Sequence, residues 1–190
     1  MAPNNGGVWK TTDFGHTWTP IFDDQPTGSI GALAVAPSNS NIIYVGSGEG
    51  LRRPDLSVGD GIYKSADAGK TWQHLGLRDA QQIAAVLVDP HDPNRVFVAA
   101  VGHPYGPNPE RGIYRSLDGG QSWEPFGDSD DADLSNSRIQ NILYGPPGVV
   151  LAIDEQGMVY QRLLSRNVDE GWERLAFSQP YGEQRHDSAG

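Results

Sequence analysis

Apolar residues in this chain fall into short runs instead of helical stripes. Ile30-Gly31-Ala32-Leu33-Ala34-Val35-Ala36-Pro37, Ile83-Ala84-Ala85-Val86-Leu87-Val88-Asp89-Pro90 and Ile139-Gln140-Asn141-Ile142-Leu143-Tyr144-Gly145-Pro146 are nearly continuous and each stops at proline. Runs of that length, bounded by turn residues, predict strands covered on both faces. A polar turn follows, Ser38-Asn39-Ser40-Asn41 in one unit and His91-Asp92-Pro93-Asn94 in the next. A second β-branched run comes after it: Ile42-Ile43-Tyr44-Val45, Val96-Phe97-Val98, or Val149-Val150-Leu151-Ala152-Ile153. A third strand is predicted at Gly61-Ile62-Tyr63-Lys64-Ser65 and Gly112-Ile113-Tyr114-Arg115-Ser116, and a fourth from Trp72 and Trp123.

The third and fourth strands flank a box that recurs: Thr11-Thr12-Asp13-Phe14-Gly15-His16-Thr17-Trp18, Ser65-Ala66-Asp67-Ala68-Gly69-Lys70-Thr71-Trp72 and Ser116-Leu117-Asp118-Gly119-Gly120-Gln121-Ser122-Trp123. The copies open at Gly7, Gly61 and Gly112, a period of roughly fifty residues, which suits one propeller blade of four antiparallel strands. The first copy supplies only a half blade, 6–22. Blades at 29–76 and 82–127 follow, then a degenerate one at 138–177, where Gly157-Met158-Val159-Tyr160 and Trp172-Glu173-Arg174 stand in for the third and fourth strands. The propeller region is thus 1–178, and the polar tail 179–190 is expected to lack ordered structure. The fold class read from this pattern is all-β, a partial propeller of about three and a half blades, where closed rings need about 4–8. Its open blade edges are expected to pair with another chain or with the missing half of a ring.

Within the box, Asp13, Asp67 and Asp118 can accept backbone N–H bonds inside a tight turn, and Gly15, Gly69 and Gly120 can take positive φ. The indoles of Trp18, Trp72 and Trp123 bring enough apolar surface to lock each outer hairpin onto its blade. Three aspartates on three blades do not converge on a metal or a substrate, so the box is read as structural.

The pattern Ser-x-Asp-x-Gly-x-Thr-Trp resembles the Asp-box, or bacterial neuraminidase repeat. Flanking text such as Gly46-Ser47-Gly48-Glu49-Gly50 and Gly102-His103-Pro104-Tyr105-Gly106 resembles exported bacterial propellers of sortilin-like or glycoside-hydrolase type. That resemblance implies a repeat module binding carbohydrate or protein, outside the cytoplasm, although this chain shows no signal peptide. Sialidases, xyloglucanases, sortilin receptors and photosystem assembly factors share the box. It therefore leaves open a glycosidase completed by missing blades, and also an assembly or scaffold factor.

Charge narrows the partners. A formal net charge of -10, from 14 Lys and Arg against 24 Asp and Glu, disfavours nucleic acid and anionic membranes. No apolar run approaches the roughly 18 residues of a membrane helix. With no cysteine there is neither a disulfide framework nor a thiolate metal site, and no cofactor motif is present. The acidic stretch Asp128-Ser129-Asp130-Asp131-Ala132-Asp133 lacks the glycine and terminal glutamate of a calcium loop and reads as a blade linker.

Candidate chemistry lies on the loops between second and third strands, 48–61 and 102–112, on the face opposite the boxes. Ligand contacts are expected from Arg52, Arg53, His103, Tyr105, Asn108 and Arg111. Were the chain a glycosidase, its carboxylates would come from Glu49, Asp55, Asp60 or Glu110, at the separations of about 5–5.5 Å or 6.5–9.5 Å such enzymes require. A sialidase is disfavoured, because no Arg-Ile-Pro motif or arginine triad is recognisable.

Overall fold

A computed structural model of the chain describes residues 1–3, 5–50, 56–106, 108–127, 134, 137–164 and 171–175. The strands are β1 (Trp9–Lys10), β2 (Thr19–Pro20), β3 (Ile30–Val35), β4 (Ile43–Ser47), β5 (Ile62–Ser65), β6 (Gln73–His74), β7 (Ile83–Val88), β8 (Val96–Ala100), β9 (Gly112–Ser116), β10 (Glu124–Pro125), β11 (Ile139–Tyr144), β12 (Val149–Asp154), β13 (Val159–Leu163) and β14 (Glu173–Arg174). They form antiparallel meanders: the hairpin β1-β2, then the four-stranded sheets β3-β4-β5-β6, β7-β8-β9-β10 and β11-β12-β13-β14. Apart from a 3-10 turn at Arg78–Ala80, the elements described here are strands. Among the described residues the fold is all-β, a partial propeller of three and a half blades, and the last unit forms a four-stranded blade despite its divergent sequence.

The core lies between blades, and this explains the continuous apolar runs. On β4, Ile43 and Val45 face the half blade, while Tyr44 faces the following blade. On β8, Val96, Val98 and Ala100 face backward, whereas Phe97 and Ala99 face forward. Alternate residues thus enter two different interfaces, so both faces of each inner strand must be apolar. The innermost strands meet directly, with β7 against β3 and β4, and β11 against β7 and β8. Close approach there demands small residues. A Cβ on Gly46 would lie 2.4 Å from Ile83 Cγ2, and one on Gly31 2.1 Å from the Ile83 carbonyl oxygen.

Each first strand carries a bulge at the same place, between Ile30 and Ala32, Ile83 and Ala85, and Ile139 and Asn141. A bulge at the rim re-aims the residues beside it. The residue preceding each of these strands, Ser29, Gln82 or Arg138, stands where the long loops converge.

The boxes fold as anticipated from their local chemistry. Asp67 accepts the Thr71 hydroxyl at 2.6 Å, the Thr71 N–H at 2.9 Å and the Ser65 hydroxyl at 2.8 Å, while the Gly69 N–H donates to Ser65 Oγ at 2.8 Å. Asp13 and Asp118 repeat the set with Thr11/Thr17 and Ser116/Ser122. The tryptophans act differently from the expectation that each clamps its own hairpin. Trp72 Nε1 donates to the Ile21 carbonyl at 2.6 Å, Trp123 Nε1 to Leu75 at 2.8 Å and Trp172 Nε1 to Phe126 at 2.7 Å, each reaching the end of the preceding blade. Lysines tie in the other direction: Lys10 Nζ donates to the Ala68 carbonyl at 2.9 Å and Lys64 Nζ to Gly119 at 3.1 Å, both in the next box. The box is a two-way clasp between blades.

Candidate functional site

The box turn lies beside the turn between first and second strands, as the bond from the Ala68 N–H to the Asn41 carbonyl at 2.9 Å shows. The loops between second and third strands occupy the other face. There the Ser29 hydroxyl meets the Ser57 carbonyl at 3.4 Å. Gln82, fully buried, donates from Nε2 to the same carbonyl at 3.2 Å and accepts the Glu49 N–H at its Oε1. One amide therefore fixes both arms of the first long loop to the start of β7.

The carboxylates do not behave alike. Glu49 is buried and borders a small depression with Leu56, Pro104, Arg138, Gln140 and Glu155, side chains drawn from three blades. Arg138 spans this point, with Nη1 3.3 Å from Glu155 Oε2 and Nη2 donating to the Pro104 carbonyl. The enclosed volume is about 10 Å³, room for a water molecule and not for a sugar ring. Asp60 lies apart, accepting bonds from the Tyr63 hydroxyl and Arg78 while its carbonyl faces His74 Nε2. Burial, then the Asp60 carboxylate, pushes the Tyr63 phenol well above its ordinary value. Glu110 contributes its carbonyl to the Tyr114 hydroxyl at 3.1 Å.

In the second long loop, Arg111 turns inward. Its Nε donates to the Val101 carbonyl at 3.0 Å and its Nη2 to the carbonyls of His103 and Gly106, both at 2.9 Å. Burial and the nearby Arg138 lower its pKa, and Glu155 opposes them. Asn108 Nδ2 joins the same scaffold through the His103 carbonyl at 3.0 Å. Held on this frame, His103 and Tyr105 project outward, Tyr105 being 64% exposed. Arg52, Arg53 and Asp55 lie outside the described residues, as does the stretch Asp128–Asp133. Among the described residues no cluster of His, Asp or Glu could hold a metal, and no helix is long and apolar enough to cross a membrane.

Sequence reading missed Arg138, Glu155 and Gln82. The available signal was positional, since Ser29, Gln82 and Arg138 occupy the same place before the isoleucine of each first strand.

The BNR/Asp-box repeat family matches residues 114–125, the third box and the strand ends around it. The chain carries BNR/Asp-box repeats on a β-propeller fold. This Asp-box propeller is similar to xyloglucanase Xgh74A of Acetivibrio thermocellus, 25% identical over 150 residues, which covers 64% of this chain and 16% of that enzyme. It is also similar to the oligoxyloglucan-reducing end-specific xyloglucanase of Emericella nidulans, 34% identical over 101 residues, covering 50% of this chain and 12% of the relative. The chain thus spans less than a fifth of the length of these relatives. Among solved structures, an ancestral GH74 enzyme superposes with a TM-score of 0.63 at 20% identity, over 92% of this chain and 25% of that one. YCF48 bound to D1 peptide superposes with a TM-score of 0.58 at 15% identity, over 90% and 48%. At those identities the structural likeness speaks for the fold.

Proposed function

We propose that the chain is a propeller module that binds carbohydrate, of the β-glucan or xyloglucan class, on its long-loop face, and that it works outside the cytoplasm. The observation that supports this most is the outward presentation of Tyr105 and His103 on a loop braced from within by Arg111 and Asn108. An aromatic face on a rigid loop suits the apolar face of a pyranose, and the net charge of -10 suits a neutral polymer. The xyloglucanase relatives give this reading its ligand class. The small volume beside Glu49 favours binding along an open surface.

A second reading, a glycosidase completed by further blades, draws on Glu49 and Glu155 bordering one depression with Arg138 between them. Affinity electrophoresis in gels containing xyloglucan, with cellulose-derived and mannan gels as controls, tests the first. Xyloglucan is expected to retard the chain and Tyr105→Ala to remove the retardation, and unchanged mobility in every gel would refute carbohydrate binding. A reducing-end assay on the same polymer separates the second: release of ends that is lost in Glu49→Gln would make the chain an enzyme.

A further inference from the structure

The chain enters β7 through a turn that carries strain. The Gln82 N–H donates to the Ala80 carbonyl, closing a three-residue turn on Gln81, whose φ is 52° and ψ -49°. A γ-turn of that sign is the rare and strained kind, and glycine is the residue that adopts positive φ without penalty. Gly28 holds the corresponding place before β3 without positive φ, so entry to a first strand does not itself impose the turn.

The surroundings hold Gln81 in place. The Gly59 N–H of the first long loop donates to the Gln81 carbonyl at 2.8 Å, and the Val101 N–H at the base of the second donates to the Gln82 carbonyl at 2.8 Å. Glycines make room for this approach: a Cβ on Gly48 or Gly59 would lie 2.2 or 2.3 Å from the Gln81 carbonyl oxygen. A side chain is thus kept at a strained position exactly where the two long loops meet. Strain held by its surroundings at such a point directs attention to what the side chain does.

The Gln81 side chain reaches His103. Its Nε2 lies 3.3 Å from His103 Nε2, so the amide N–H donates, the ring nitrogen accepts, and the imidazole proton sits on Nδ1. Among the described residues neither side chain has another hydrogen-bond partner. An acceptor, Gln81 Oε1, and a donor, the His103 Nδ1–H, are therefore both available two residues from the exposed Tyr105 ring. A sugar hydroxyl both gives and takes a hydrogen bond, and a neutral amide and imidazole side by side suit it.

We propose that Gln81 is a ligand-contact residue of the long-loop face, taking with His103 the hydroxyl groups of a neutral glycan whose ring lies on Tyr105. The assignment rests on the carbohydrate reading of that face and adds the polar contacts that fix the sugar's orientation. Stacking on Tyr105 alone tolerates many sugars, whereas a few placed polar groups discriminate among them.

Two variants of the whole chain test it, each read by mobility in gels of graded xyloglucan concentration and by thermal unfolding. Gln81→Gly relieves the strain and removes the amide, so its melting point should rise by about 2–4 °C. Its dissociation constant for xyloglucan should increase about fivefold, as the loss of one neutral hydrogen bond implies. Gln81→Ala keeps the strain, so it should weaken binding equally without raising the melting point. A residue present only to shape the turn would not give higher stability together with weaker binding. Retardation of both variants equal to that of the parent chain, or a lower melting point for Gln81→Gly, would overturn the assignment while leaving carbohydrate binding in place. Absence of retardation in the parent chain would overturn the carbohydrate reading and this assignment with it.

Discussion

Truncating one box tryptophan at a time separates a clasp between blades from a clamp within a hairpin. Trp72→Ala removes the N–H that satisfies the Ile21 carbonyl and the edge-on contact with Phe22, whose ring centre lies 5.0 Å away at 82°. Stranding a shielded carbonyl costs about 1–3 kcal/mol. Losing the aromatic pair costs about 0.5–1.5 kcal/mol. Together they predict a loss of about 3 kcal/mol, near the low end for removing a core Trp. Trp18 has the same place in its own box, yet it is 38% exposed and its Nε1 donates to Gly15 in the same turn. Trp18→Ala should therefore cost less than about 1 kcal/mol, as surface changes do. Urea unfolding of both variants, followed by far-ultraviolet circular dichroism, gives the comparison directly. For a chain of this size about 3 kcal/mol also means a melting point lower by about 6–12 °C. Equal losses at the two sites would show that the indole works within its own hairpin, and the clasp reasoning would fall. Trp72→Phe, which keeps a ring and loses the donor, should lie between the two.

Four further outcomes follow from the same contacts. Hydrogen bonds from the Thr17 hydroxyl and N–H, then from Thr11, hold the Asp13 carboxyl down to about 2, and the corresponding bonds from Thr71 and Ser122 hold Asp67 and Asp118 lower still. Because these folded-state values lie below the unfolded value of about 3.9, the box contribution is complete above that pH and disappears as the pH falls through the folded values. Urea midpoints measured from pH 6 down to pH 2 should drop in the acid limb, less steeply in Asp67→Asn; identical limbs would refute the assignment. Ala68→Gly should raise the melting point slightly, since Ala68 sits at φ 62° where the third box has Gly119 at φ 75°. The left-handed cost of about 1–2 kcal/mol for alanine exceeds glycine's entropic cost of about 0.5–1 kcal/mol. Gly119→Ala should lower it, because a Cβ there would come within 2.6 Å of Lys64 Nζ. Gly46→Val, placing Cβ 2.4 Å from Ile83 Cγ2, should cost about 1–3 kcal/mol of overpacking in urea unfolding.

The strands and boxes were legible because their causes are local. An Asp-box closes through bonds spanning two to four residues, such as Ser65 to Asp67 and Asp67 to Thr71. Likewise, a strand buried on both faces writes itself as an unbroken apolar run. What joins one blade to the next is not local. Trp72 and Ile21 are 51 residues apart, and nothing near either residue indicates that the indole reaches backward. The same limit applies to the long-loop face. Arg111 and Tyr105 looked equivalent as polar loop residues, but closure of the loop over the Val101 and His103 carbonyls turned one inward and left the other exposed. Arg138 and Glu155 went unnoticed because they meet only once β11 pairs with β12, where the Glu155 N–H donates to the Arg138 carbonyl at 2.9 Å, and because the contact of Arg138 with Pro104 comes from another blade.

The clasps give the chain a direction, and the first blades tie that direction to the loop face. Trp72, Trp123 and Trp172 tie to the preceding blade, while Lys10 and Lys64 tie forward, so the blade 29–76 is held by contacts of different chemistry on its two sides. Trp18 instead donates within its own turn, to the Gly15 carbonyl, and Gly15 shows the same asymmetry. A Cβ on Gly69 or Gly120 would strike Ile21 or Leu75 of the preceding blade at 2.5 or 2.4 Å, whereas one on Gly15 would meet nothing closer than its own Trp18 at 3.7 Å. The first box nevertheless keeps the glycine and the indole of the other two. The half blade packs, through Val8 and Phe22, against Ile30, Val45 and Tyr63. Tyr63 in turn binds Asp60, the acid at the end of the first long loop. The packing of the half blade should thus be felt at the loop face through a single cluster, since Phe22 meets Tyr63 with ring centres 5.2 Å apart; Phe22→Ala is expected to speed hydrogen exchange at the Asp60 and Gly61 amides, and unchanged exchange there would refute the coupling.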